Sequence, residues 1–212
     1  MRQITTIILA LALTTNALAA SEFGDKVADA TAQLEKIKTA SSSTRSIESD
    51  FTLVKKISLM SDIEKSYGKF YYSKASSQLC LDYTEPADNK ILISDTKFTL
   101  TTNGKTSSMQ LSRNPALSQL KNMITACMTG NFMSLGEHSE TSYYDNGSTF
   151  TISIKPSNKR VKRYMNEIVL RFDKKDNTLM SMRLAEPNGD YSEYTYTNKK
   201  INTIIDNKHF LP

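Results

Sequence analysis

The stretch GKFYYSKASSQLCLDYTEPADNKILISDTK, residues 68–97, decides the fold class. Apolar side chains alternate with other residues in three short runs within it: Gly68-Phe70-Tyr72, Leu79-Leu81-Tyr83 and Ile91-Ile93. Because successive side chains of a strand point to opposite faces of a sheet, this period of two predicts three half-buried strands. The short polar connections between them predict that the strands are antiparallel neighbours.

The same alternation continues on both sides of this stretch. It returns in residues 47–53, 98–100, 150–154, 168–172, 180–184 and 194–196. Turn residues that tolerate positive φ separate several of these segments: Asn103-Gly104, Asn146-Gly147 and Asp176-Asn177. We therefore predict a mainly β (α+β) protein built on a single antiparallel sheet.

Two segments change to the helical period. Residues 25–39 carry apolar side chains at three- and four-residue spacing, and residues 114–135 do the same behind an Asn-Pro start signal. The order helix, strands, helix, strands follows, and residues 20–212 have a length typical of one domain.

The N-terminus has the features of an export signal. Arg2 supplies a positive charge, residues 4–13 are mostly apolar, and Ala17-Leu18-Ala19 provides small residues at a cleavage position. A membrane anchor is the alternative, but it requires about 20 apolar residues, and Thr14, Thr15 and Asn16 interrupt this run. We expect residues 1–19 to be a cleaved signal peptide and residues 20–212 to be a periplasmic protein.

Cys80 and Cys127 could form a disulfide in an exported protein. The strand period, however, points Cys80 to the face opposite Leu79 and Leu81, whereas Cys127 falls on the apolar side of the predicted helix. We predict that the two thiols are unpaired.

Recognisable catalytic chemistry is absent from the sequence. His138 and His209 belong to no nucleophile, metal or phosphate motif, and the string EHSE at 137–140 is typical of a polar strand start. The basic string KRVKR at 159–163 could contact nucleic acid or an anionic membrane, but without aromatic residues it fits a solvated loop better. We predict a protein that is not an enzyme, with no metal, no cofactor and no nucleic-acid partner.

The predicted sheet has more apolar surface than two helices can cover, unless it curls around a cavity. Flexible side chains suited to ligands of varying shape are supplied by six of the methionines: Met109, Met123, Met128, Met133, Met180 and Met182. The alternative is that methionine fills gaps in an ordinary core. An apolar pocket is therefore one prediction of the pattern.

The stretch 68–97 resembles the LolA family of periplasmic lipoprotein carriers, which has a glycine-led strand, a strand closed by proline and an ILVSDGK-like strand and turn. The ending around Tyr196-Thr197-Asn198 and Phe210 also looks like that family's. The resemblance implies an incomplete, strongly curved β-barrel with helices lying over its open face as a lid. It further implies acyl chains as ligands, an inner-membrane ABC transporter as donor and an outer-membrane acceptor.

Two departures from the family pattern affect the expected site. Lys74-Ala75 stands where the family has Arg-Pro, and Leu81 stands where it has tryptophan. The family arginine links the sheet to the lid; a lysine keeps the charge but loses the planar five-donor fork. Lys74 is therefore a candidate lid latch, or else a solvated turn lysine, and Leu81 is expected to widen or reshape the cavity.

The predicted function is transport of lipoprotein acyl chains or lipids from the inner to the outer membrane by a monomeric carrier. A sensor domain on the same half-barrel, which binds a lipid or protein without transporting it, is the alternative. The expected lipid-binding residues are Phe51, Leu53, Phe70, Tyr72, Leu79, Leu81, Ile91, Ile93 and Phe98 on the strands, with Leu117, Leu120, Met123 and Ile124 on the lid.

Overall fold

The computed structural model describes residues 22–59, 63–113, 118, 121–122, 124–126, 139–157, 159 and 161–211. Within these residues one antiparallel sheet contains twelve strands. They are β1 Asp25–Val27, β2 Ser46–Lys56, β3 Ile63–Ser73, β4 Gln78–Glu85, β5 Asn89–Ile93, β6 Lys97–Thr102, β7 Lys105–Gln110, β8 Ser139–Asp145, β9 Thr149–Pro156, β10 Glu167–Asp173, β11 Leu179–Ala185 and β12 Tyr191–Ile201.

The sheet is curved and unclosed, with the order β1-β8-β9-β10-β11-β12-β2-β3-β4-β5-β6-β7. Strand β12 pairs with β2, so the last strand of the chain lies beside the first long one. The edge strands β1 and β7 do not pair with each other. All nine alternating segments are strands, and the predicted mainly β fold is confirmed.

The first helix, α1, is Thr31–Ser42. The predicted start at residue 25 is wrong, because Asp25–Val27 form strand β1, in which Val27 pairs with Tyr143 of β8. The Asp29 carboxylate accepts a hydrogen bond from the Thr31 amide at 3.0 Å, which satisfies a free N–H at the true helix start. Val27 and Ala30 therefore fit the helical spacing only by coincidence, because Val27 belongs to strand β1 and Ala30 precedes the helix.

The concave face of the sheet carries the main core. The four phenylalanines Phe51, Phe70, Phe150 and Phe172 are almost fully buried there. Ile37 of α1 is also fully buried against this face, so the helix covers part of the sheet. Each such side chain contributes about 1.5–3 kcal/mol by leaving water, which makes this cluster the main source of stability.

A smaller cluster lies on the convex face. Tyr71, Cys80, Leu92 and Phe210 form it, and the ring of His209 stacks on Tyr71 at 4.0 Å. The C-terminal residues are also held by Lys90, whose Nζ donates to the Leu211 carbonyl at 2.7 Å. Cys80 therefore faces away from Leu79 and Leu81, as the strand period predicts.

Cys80 forms no disulfide with a described residue and is completely buried, and burial raises the pKa of its thiol from 9.0 to about 12. Cys127 lies outside the described residues, so the absence of a disulfide stays a prediction.

We expect native Cys80 to resist alkylation at pH 8, because the raised pKa lowers its thiolate fraction roughly a thousandfold and the C-terminal residues block access. Iodoacetamide labelling followed by mass spectrometry of the Cys80 peptide measures this, with labelling in denaturant as the control. Rapid labelling of the native protein would show that the C-terminal residues leave the sheet readily.

Candidate functional site

The concave face brings the predicted strand residues together. Six of them are buried in its core cluster: Phe51, Phe70, Tyr72, Leu79, Leu81 and Ile93. Leu53, Ile91 and Phe98 are partly buried and pack against the same cluster. Of the expected lid residues, Ile124 is buried in this cluster, whereas Leu117, Leu120 and Met123 lie outside the described residues.

The described helical residues 118, 121–122 and 124–126 are called the middle helical segment. A cavity of about 200 Å³, called the larger cavity, lies between this segment and the sheet. Its apolar wall is formed by Tyr72, Leu79, Ile93 and Ile124. Its polar lining is formed by Lys74, Ser77, Gln78, Asp95, Lys121 and Thr125. The larger cavity is therefore lined by both apolar and charged side chains.

The size of this cavity limits what it holds in the described conformation. Pockets for drug-sized ligands span about 300–1,000 Å³, whereas a cavity of roughly 150 Å³ holds a benzene ring. At about 200 Å³ the larger cavity has room for only part of an acyl chain. A longer chain would require the middle helical segment to move away from the sheet.

Leu81 does not line this cavity, although its place in the family pattern predicts that it shapes one. Its side chain is 5% exposed and packs in the core cluster, with its backbone paired to Ile91. Ile93, which pairs with Leu79 two residues away along the ladder, does line the larger cavity. Leu79 lines the cavity and Leu81 does not, because the cavity lies at the Gln78 end of β4 and Leu81 is farther from that end.

One ion pair joins the middle helical segment to the sheet. Lys121 Nζ lies 2.7 Å from Asp95 Oδ1, in the turn between β5 and β6. The hydrogen bond from Lys121 and the charge of the same lysine lower the pKa of the Asp95 carboxyl from 3.8. Asp95 is therefore ionised at neutral pH, and the pair forms a contact between the two walls of the cavity.

Lys74, the candidate latch, also lines the larger cavity, but its hydrogen bond is to α1. Its Nζ donates to the Ser42 carbonyl at 3.3 Å, at the C-terminal end of α1. Lys74 thus ties the β3–β4 turn to α1 rather than to the middle helical segment. Sequence reasoning missed Lys121, although its position on the polar side of a predicted lid helix was a usable signal.

Two partly buried tyrosines on the concave face, Tyr83 and Tyr194, have raised pKa values. Burial raises the pKa of Tyr194 well above 10.0, and it also raises the pKa of Tyr83. Both phenols stay neutral at pH 7 and act as hydrogen-bonding groups. No group of three or more His, Cys, Asp and Glu in the described part of the chain could hold a metal ion.

Comparison with known proteins supports the same architecture. Residues 42–212 match the model of the family described as outer membrane lipoprotein carrier protein LolA. No curated protein sequence matches the chain significantly.

Among solved structures, MucB is similar with a TM-score of 0.51 and 11% identity, over 88% of this chain and 63% of that chain. An uncharacterized conserved protein from Thermus thermophilus gives a TM-score of 0.50 and 8% identity, over 84% and 91% of the two chains. A LolA superfamily protein from Nitrosomonas europaea gives a TM-score of 0.45 and 13% identity, over 88% of this chain and 99% of that chain. At these identities the similarities to MucB and to the Thermus thermophilus protein show the fold alone.

Proposed function

Because this chain belongs to the LolA family of outer membrane lipoprotein carrier proteins, we propose that it carries the acyl chains of lipoproteins or lipids across the periplasm, from the inner to the outer membrane. The observation that carries this proposal is the larger cavity, which lies between the apolar concave face and the middle helical segment.

An apolar sleeve is what such transport requires. Each methylene group moved out of water is worth about 0.8 kcal/mol, so an acyl chain cannot cross an aqueous space unprotected. The concave core supplies apolar surface, and the middle helical segment covers it when no cargo is bound. Closure also hides this surface from other proteins.

The same physical requirement defines the partners. An inner-membrane ABC transporter would release the chains from the bilayer, and an outer-membrane acceptor would receive them. The carrier itself would act as a monomer and would catalyse no reaction. Binding and release would depend only on the opening of the cavity.

Export to the periplasm is part of this proposal, with cleavage after Ala19. Glu22, near the proposed new N-terminus, already makes structural contacts: its Oε1 lies 2.8 Å from Arg171 Nη2 and 2.9 Å from Arg183 Nη2. The next residue, Phe23, packs against Tyr144 at 5.5 Å. No helix in the described part of the chain is long and apolar enough to cross a membrane.

A transfer assay tests the proposal. Purified protein loaded with a fluorescent acylated lipopeptide should deliver it to acceptor vesicles. A protein that binds the lipopeptide without releasing it, or that instead forms a stable complex with a membrane signalling protein, would favour the sensor alternative.

We expect Asp95→Asn to speed dissociation of a bound acyl probe by about two- to fivefold. The pair with Lys121 is largely exposed on the Asp95 side, and such pairs are worth about 0–1 kcal/mol. Stopped-flow displacement measures the rate, and Glu85→Gln, at an exposed carboxylate on β4, is the control. An unchanged rate would show that this pair does not hold the segment closed.

The pH dependence of this effect has a definite sign. The pKa of Asp95 is lower in the folded protein than its ordinary value of 3.8. The stabilisation by the ion pair is therefore fully present above pH 3.8, and it is lost as the pH falls through the lowered pKa. The wild-type dissociation rate should therefore be flat from about pH 5 to 8.

A further inference from the structure

Ser49 carries a buried hydroxyl without a hydrogen-bond partner in the described structure. Its side chain is 1% exposed, and its Oγ is one of only two buried side-chain polar atoms among the described residues for which no partner is found. Such a group costs about 1–3 kcal/mol unless something else satisfies it. Ser49 shares the inward phase of β2 with Ile47 and Phe51, so the hydroxyl faces the concave side.

Ser49 lines a second, smaller cavity of about 30 Å³. Other hydroxyl-bearing residues line it too, namely Ser41 in α1, Thr44 just after α1 and Thr178 before β11, together with Lys199 of β12. The volume exceeds the roughly 10–15 Å³ that one water-sized group needs, so it fits one or two oxygen atoms. The smaller cavity therefore has both apolar and polar side chains in its lining. The hydroxyls of Thr44 and Thr178 already donate to the Ala40 carbonyl and to Asp176 Oδ1, so Ser49 supplies the unpartnered hydroxyl of this lining.

Lys199 has donor capacity left for a ligand. Its Nζ donates to Thr178 Oγ1, but its other contacts are long, at 3.4 Å to the Leu179 carbonyl and 3.6 Å to Asp176 Oδ2. An ammonium group has three donors, and the contact to Asp176 exceeds hydrogen-bonding distance. The lysine side chain is 16% exposed, so its charge lies in a partly desolvated site.

The smaller cavity adjoins the apolar core. Phe70 and Leu179 belong both to its lining and to the concave core cluster. Ile47, also in the lining, is the strand partner of Tyr72, which lines the larger cavity. A ligand with a polar end in the smaller cavity would thus have its apolar part beside the core.

We propose that the smaller cavity binds the C1 carbonyl oxygen of the acyl cargo, through Ser49 and Lys199. This inference rests on the proposed carrier function and adds to it a determinant of cargo choice. A carbonyl or carboxylate oxygen accepts hydrogen bonds and donates none, which matches a site of a hydroxyl and an ammonium group. Both an acyl ester and a free fatty acid carry this oxygen.

The test is displacement of a fluorescent acyl probe by laurate, methyl laurate and 1-chlorododecane, which has the same chain length but no strong acceptor. The wild type should bind the two oxygen-bearing ligands about tenfold more tightly than 1-chlorododecane. Ser49→Ala and Lys199→Met should reduce this preference towards onefold. A preference for laurate over methyl laurate that Lys199→Met removes would identify the free carboxylate as the bound group; equal binding would show that the carbonyl oxygen shared by acid and ester is sufficient.

Thr151→Val is the matched control. Thr151 Oγ1 is the other buried hydroxyl without a described partner, but it lies on the opposite face of β9 from Phe150 and Ile152 and lines neither cavity. This variant should keep the tenfold preference. Ser49→Ala should not lower the melting temperature, since it removes an unpartnered group.

Three results would overturn the inference while leaving the carrier function standing: no preference in the wild type, a preference that survives Ser49→Ala, or an equal loss in Thr151→Val. The first two would indicate that the smaller cavity holds only water. Failure of every ligand to displace the probe, or of the probe to bind, would overturn the carrier function and this inference with it.

Discussion

Ile93→Glu is expected to abolish binding of an acyl chain while leaving the domain folded, whereas Leu81→Glu is expected to unfold it. Both side chains are buried on the concave face, at 3% and 5% exposure. Only Ile93 borders the larger cavity, where Lys74 and Lys121 also lie and can compensate a new carboxylate. A glutamate at position 81 would be unpaired in packed core, which costs several kcal/mol.

Thermal unfolding together with titration of a fluorescent fatty-acyl probe measures both effects. Thr102→Glu places the same charge at an exposed strand position and should change neither quantity. If Ile93→Glu bound the probe like the wild type, acyl chains would not occupy the larger cavity. If Ile93→Glu unfolded the protein as Leu81→Glu does, the cavity would be part of a solid core.

Gly68→Ala is expected to destabilise the domain by about 3 kcal/mol or more, a large effect for one methyl group. A Cβ atom at this position would lie 2.3 Å from the Asp82 carbonyl oxygen and 2.6 Å from Phe51 Cε1. The first contact is with backbone, so a side-chain rotation cannot relieve it. Phe51 of β2 packs across its strand partner Gly68 of β3. An alanine at position 68 would therefore push β2 and β3 apart.

Chemical denaturation gives the free energy of unfolding for this comparison. Gly104→Ala is the control, because a Cβ there meets nothing within 4 Å and the cost comes only from its φ of 71°. That cost should be about 1 kcal/mol. Equal losses for the two variants would contradict the close packing of Phe51 over Gly68.

The strands that pack one apolar face could be predicted from the sequence, because burial on one side produces the period of two. Strand β7 could not, since all six of its residues are exposed and its pairing relies on backbone bonds and on contacts such as Thr99 Oγ1 to Ser108 Oγ at 3.0 Å. Strand β1 has only three residues, too few for a period. Both lie at sheet edges, where burial leaves no pattern.

The apolar half of the site followed from the same period, but its polar half did not. Ser49 falls in the inward phase with Phe51, yet sequence alone cannot show that its hydroxyl finds no partner in the described structure. The pair of Lys121 with Asp95 joins residues 26 positions apart. Such contacts depend on how the middle helical segment lies on the sheet, which no local pattern specifies.

Mass spectrometry of the ligands that copurify with the protein from the cell envelope tests the carrier function most directly. The wild type should bring down acylated peptides or lipids, and Ile93→Glu, purified in parallel and shown to be folded, should bring down far less. Wild-type protein that carries no acylated ligand, or a folded Ile93→Glu variant that carries as much as the wild type, would contradict acyl transport through the larger cavity.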